Sequence, residues 1–104
     1  MEQSRFSYDL SPLAESDLDE IINYIAMELS APQAASRLID NIQSAVERIC
    51  DHPFSCPLLK DKILREKGYR LLIVQNFNIF YLVKDQTIVV RRILYGRRNY
   101  ERLL

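Results

Sequence analysis

Apolar residues recur along this chain at two different spacings, and the change of spacing marks where helices give way to strands. Leu18, Ile21, Ile22, Ile25 and Leu29 repeat every three or four positions, as do Ala35, Leu38, Ile42, Ala45, Val46 and Ile49. Each set lines one side of an α-helix. Ser11-Pro12 supplies an N-cap and a proline at the first helical position, and Ser30-Ala31-Pro32 ends the first helix and starts the second. The second helix is expected to run to about Asp51, with Pro53 closing it. A connection this short folds the two helices into an antiparallel hairpin.

Elsewhere the pattern is that of strands. Residues 5–10 alternate, with Phe6, Tyr8 and Leu10 on one side. Residues 69–75, 77–84 and 87–96 are runs of Ile, Val, Leu, Phe and Tyr separated by links suited to tight antiparallel turns. The first strand can pair with these to complete a sheet of four. Strict alternation sorts the last run into two faces, Ile88, Val90, Arg92 and Leu94 on one and Val89, Arg91, Ile93 and Tyr95 on the other. Tyr69, Phe80 and Tyr81 are expected in the core. The helix hairpin can cover one face of the sheet, which leaves the other bare, with aliphatic and aromatic residues mixed with arginine. Residues 54–67, with Pro57 and mixed charge, are the least regular stretch, and Gly68 gives the chain freedom to turn into the next strand.

Composition narrows the class. With 104 residues, 48% of them apolar and 27% charged, the chain suits one domain with a modest core. No apolar run approaches the ~20 residues that span a bilayer, and residues 1–5 lack the features of a secretory signal, so the cytoplasm is the expected compartment. Cys50 and Cys56 read as small, partly buried thiols. A single histidine, His52, gives no zinc spacing. It reads as a helix C-terminal residue, since no neighbouring nucleophile or acid completes a catalytic set around it. Neither a metal nor a small-molecule cofactor is expected.

The zero net charge conceals a division. Residues 1–53 carry ten acids against three bases, and residues 54–104 carry four acids against eleven bases. Such a molecule can offer a positive surface to phosphate or to an acidic protein, or neutralise itself by folding helix acids onto sheet bases. Glu15, Asp17, Asp19 and Glu20 fall in the first turns of the first helix, where the dipole favours negative charge.

Residues 10–25, the Gly68-Tyr69-Arg70 entry to a strand and the closing Arg92-Ile93-Leu94-Tyr95-Gly96-Arg97-Arg98-Asn99 resemble, in order and spacing, the RelE/ParE toxin superfamily. The resemblance spans roughly residues 5–100. It implies an α+β domain of order β-α-α-β-β-β, with the helix hairpin on one face of a small, mainly antiparallel sheet. It also implies the toxin half of a bacterial type II toxin–antitoxin pair, a plasmid-stabilising or addiction element neutralised by a cognate antitoxin.

RelE-like members resemble metal-independent ribonucleases that cut messenger RNA on the ribosome. For that activity the resemblance points to Arg70 and Arg98, with Tyr95 or Tyr100 as a stand-in for a late tyrosine whose own position falls near Leu104. ParE-like members resemble non-enzymatic poisons of DNA gyrase, and their usual ending, Arg-x-Leu-His-Gly-x-Arg-Asp, is kept here at Arg92, Leu94, Gly96 and Arg98. Tyr95 replaces the histidine and Asn99 the aspartate. On this ParE-like reading, which the ending favours, Arg65, Arg70, Arg92, Arg97, Arg98 and Tyr100 are the residues expected to meet the target. A third expectation, from another class, is a degenerate toxin kept only to bind its antitoxin.

Overall fold

The computed structural model describes residues 5–96 and 100–104. Strand β1 (Ser7–Leu10) leads into α1 (Pro12–Asn23), where the Ser11 hydroxyl accepts from the Ala14 amide at 3.1 Å as N-cap and donates to the Arg91 carbonyl at 2.9 Å. A π-helical turn (Tyr24–Glu28) continues α1, with the Leu29 amide donating five residues back to the Tyr24 carbonyl at 3.1 Å. Ser30, at φ 53°, turns the chain into α2 (Pro32–Asp51). The stripe expected of α2 is the one observed: Ala35, Leu38, Ile42, Ala45, Val46 and Ile49 are all buried.

Within the stretch expected to be irregular, a short helix α3 (Lys62–Glu66) forms, capped by the Asp61 carboxylate on the Leu64 amide at 3.0 Å. Then come β2 (Arg70–Val74), β3 (Phe77–Lys84) and β4 (Thr87–Tyr95). The sheet runs β1-β4-β3-β2, with β1 parallel to β4 and the remaining pairs antiparallel. Two-residue turns join β2 to β3 and β3 to β4, and their first residues, Gln75 and Asp85, both sit at φ 55°.

Two expectations about the faces are overturned. Phe80 pairs with Arg92, but the next residue, Tyr81, pairs with Val90, so Arg91 is an extra residue in β4. This β-bulge breaks the alternation. Val90 and Ile93 therefore pack in the same core beneath α1 and α2, while Leu94 packs on the other face.

Nor is that other face bare. Tyr69, Phe80 and Leu94 form a second buried cluster with Leu59 and Leu64, and Tyr100, Leu103 and Leu104 lie against it. Polar backbone explains the cover on one side. The edge of β2 still needs partners, and residues 57–59 supply them: the Leu59 amide donates to the Tyr69 carbonyl at 3.0 Å and the Leu71 amide to the Pro57 carbonyl at 3.1 Å. That pairing brings α3 down onto the sheet.

Candidate docking surfaces

Sequence alone places the guanidinium groups on an open ledge, yet the best described of them turn inward. Arg92 forks onto Asp17 of α1, Nε to Oδ2 at 2.7 Å and Nη2 to Oδ1 at 2.9 Å, and its Nη1 donates to the Leu103 carbonyl at 3.0 Å. The Ile93 amide donates to the same Asp17 carboxylate at 3.0 Å. Only 15% of the Arg92 side chain and 12% of that of Asp17 is exposed. The hydrogen bond to Asp17 holds the Arg92 pKa above its ordinary value despite the partial burial. The bulge at Arg91 places Arg92 beside Phe80 on the second face instead of beneath the helices with Val90.

Arg70 is likewise engaged. Its Nη1 donates to the carbonyls of Cys56 at 2.6 Å and Phe54 at 3.3 Å, and its guanidinium lies 5.2 Å from the Phe54 ring centre. Tyr81 holds the same loop, donating its hydroxyl to the Pro53 carbonyl at 3.1 Å, and burial with a hydrogen bond to Cys56 raises its pKa well above the ordinary tyrosine value. Arg65 donates Nε to the Leu59 carbonyl at 3.0 Å, but its side chain remains on the surface.

Of the set expected for RNA cleavage, Arg70 and Tyr95 stand apart on the sheet. Arg70 stands opposite Tyr81 and Tyr95 opposite Phe77, so their positions along β3 differ by four residues, roughly 13 Å. Tyr95 rests on Phe77, ring centres 5.2 Å apart, and Tyr100 on Phe80 on the opposite face, 5.0 Å apart. Arg97 and Arg98 lie outside the described residues. Among the described residues, no group of His, Cys, Asp and Glu is placed to hold a metal, and no helix is long and apolar enough to cross a membrane.

What the described residues do present is two surfaces of different chemistry. The elements that close the second face carry cations: Lys60, Lys62, Arg65 and Lys67 in and beside α3, Arg91 on the bulge and Arg102 after β4 are all exposed. Leu59, Leu64, Leu103 and Leu104 from the same segments join the Tyr69–Phe80–Leu94 cluster. Between this face and the start of α1 lies a cavity of about 400 Å³ bordered by Arg91, Arg92, Leu103 and Leu104.

On the helix side a groove of about 570 Å³ runs between the hairpin and the ends of β3 and β4, lined by Ile21, Tyr24, Ile25, Leu29, Phe77 and Tyr95, with Glu20 as its acid. Pattern reading missed this groove because its residues come from several elements. A signal was present in Tyr24, an aromatic residue that falls off the α1 stripe where the helix widens into its π-helical turn.

A helix hairpin laid on one face of a four-stranded sheet is a fold that this chain shares with solved chains of type II toxin–antitoxin systems. The family described as the ParE toxin of the type II toxin–antitoxin system parDE matches residues 8–100, and the chain belongs to that family. Its fold is shared with a chain of the chromosomal ParDE system of P. aeruginosa, at 21% identity and TM-score 0.72, with 89% of this chain and 98% of that one covered. It is shared also with a chain of the RelBE2 toxin–antitoxin complex of Mycobacterium tuberculosis, at 14% identity and TM-score 0.60, covering 88% and 99%. No curated protein matches it in sequence.

Proposed function

We propose that this toxin inhibits growth by docking on DNA gyrase through the basic second face, without cutting a bond, and that a cognate antitoxin neutralises it in the cytoplasm. The observation that carries the reading is that α3, the β4 bulge and the segment after β4, which together close the second face, each bear exposed cations. Acids dominate the hairpin on the other side. A positive patch of this kind steers a negatively charged macromolecule and fixes its orientation.

Arg65, Arg97, Arg98 and Tyr100 are assigned to the target. Arg92 and Arg70 support them from inside, the one tying β4 to α1 and the other tying β2 to the loop at residues 54–56. The offset of Arg70 from Tyr95 along the sheet, with Arg70 bonded to the carbonyls of Phe54 and Cys56, weighs against the ribonuclease reading. The apolar groove beside Tyr24 and Tyr95 is assigned to the antitoxin. Its lining calls for apolar anchors, and Glu20 at its edge calls for a basic residue among them.

The deciding experiment sets purified protein against gyrase supercoiling and, in parallel, against translating ribosomes. Inhibited supercoiling with intact message is expected. Cleaved message with untouched supercoiling would sink the proposal, and unchecked growth of cells expressing the protein alone would favour a degenerate, antitoxin-binding chain. A plasmid that is lost at the same rate with and without the gene pair would remove the stabilising role.

A further inference from the structure

We infer that Asp17 is a positioning residue that acts through Arg92 to hold the strap at residues 100–104 on the second face of the sheet. The inference rests on the reading that this face meets the target. The strap contains a single 3-10 turn, Tyr100–Arg102, and the amides of Leu103 and Leu104 donate back to the Tyr100 carbonyl at 2.8 and 3.0 Å. It is not among the paired strands of the sheet.

Tyr100, Leu103 and Leu104 pack against the buried cluster, and Arg92 adds a directed bond to the Leu103 carbonyl. Arg92 reaches that carbonyl through Nη1 while its other two nitrogens, Nε and Nη2, are held by the Asp17 carboxylate, whose Oδ2 also receives the Ile93 amide. A planar guanidinium held along one edge fixes the position of its third nitrogen. Asp17 therefore ties α1 to β4 and, through Arg92, to the strap, both far from α1 in sequence.

The consequence is a surface held rigid before it meets a partner. Arg102 sits on the strap that Arg92 holds, Arg91 precedes Arg92 on the bulge, and both are exposed. With Asp17 in place their backbones are fixed relative to one another, so docking need not order them.

The test reads amide exchange and gyrase binding in the full chain. In Asp17→Asn, the Leu103 and Leu104 amides should exchange at least roughly 10-fold faster relative to the central β3 amides than they do in the unaltered protein. Affinity for purified gyrase should fall by about 10-fold. In a chain whose strap is already dislodged by Leu103→Asp with Leu104→Asp, adding Asp17→Asn should cost no further affinity. Equal acceleration of strap and β3 amides, or a further loss on the dislodged background, would overturn the inference. If Asp17→Asn does not fold, Arg92→Lys replaces it, since a lysine cannot bond the carboxylate and the Leu103 carbonyl in the same fork. Unaltered protein that ignores gyrase would sink the target reading alone, and the exchange pattern would still decide the role of Asp17.

Discussion

The two faces of the sheet are closed in different ways. Beneath the hairpin, Leu38, Ile42, Val46, Ile79, Ile88 and Ile93 form one continuous apolar core, and the long helix α2 lies over it with a full stripe of buried residues. On the second face the buried cluster is smaller, and its cover is a short helix, a paired loop and a strap to which Arg92 is bonded. The first closure relies on burial of apolar area. The second adds a few directed polar bonds around a small apolar centre, which leaves room at its rim for exposed cations.

That contrast can be broken by substitution. The largest effect is expected in the helix-side core: Leu38→Ala should cost about 3 kcal/mol in denaturant unfolding, whereas Leu103→Ala, at a half-buried site, should cost about 1 kcal/mol. Equal losses would mean that the two faces are not different in kind. Next come two ion pairs among the described residues. Asp17→Ala strands a shielded guanidinium and should cost about 3 kcal/mol. Asp51→Ala removes a partner from Arg5 in a pair whose side chains are 54% and 52% exposed, and should cost less than about 1 kcal/mol.

A smaller effect, about 1 kcal/mol, is expected for Tyr81→Phe, which keeps the ring and loses the bond to the Pro53 carbonyl. Its local signature is faster exchange near Ser55, whose amide donates to the His52 carbonyl in the same loop. The smallest is chemical: burial raises the Cys50 thiol pKa, so at about pH 8 an alkylating reagent should modify the less buried Cys56 first. Faster reaction at Cys50 would show that the end of α2 opens more readily than its packing implies.

Much of the fold was legible because it depends on local periodicity. The α2 stripe, the Ser11-Pro12 start, the β3 limits and the core places of Tyr69, Phe80 and Tyr81 all follow from spacing and capping along the chain. The candidate site was less legible. Arg70 and Arg92 were recognisable as important arginines, but their partners, carbonyls of a distant loop and a carboxylate 75 residues away, are not encoded in neighbouring positions.

Residue order was enough to say which segments are helix and strand, that acids and bases divide between the two halves, and which superfamily the chain resembles. Where the arginines point was left to the packed molecule. Alternation predicts a side chain's face as long as each residue opposes one partner, and the extra residue at Arg91 in the β3–β4 pairing breaks that condition. From there on, contact between α1, β4 and the segment after it sets the orientation.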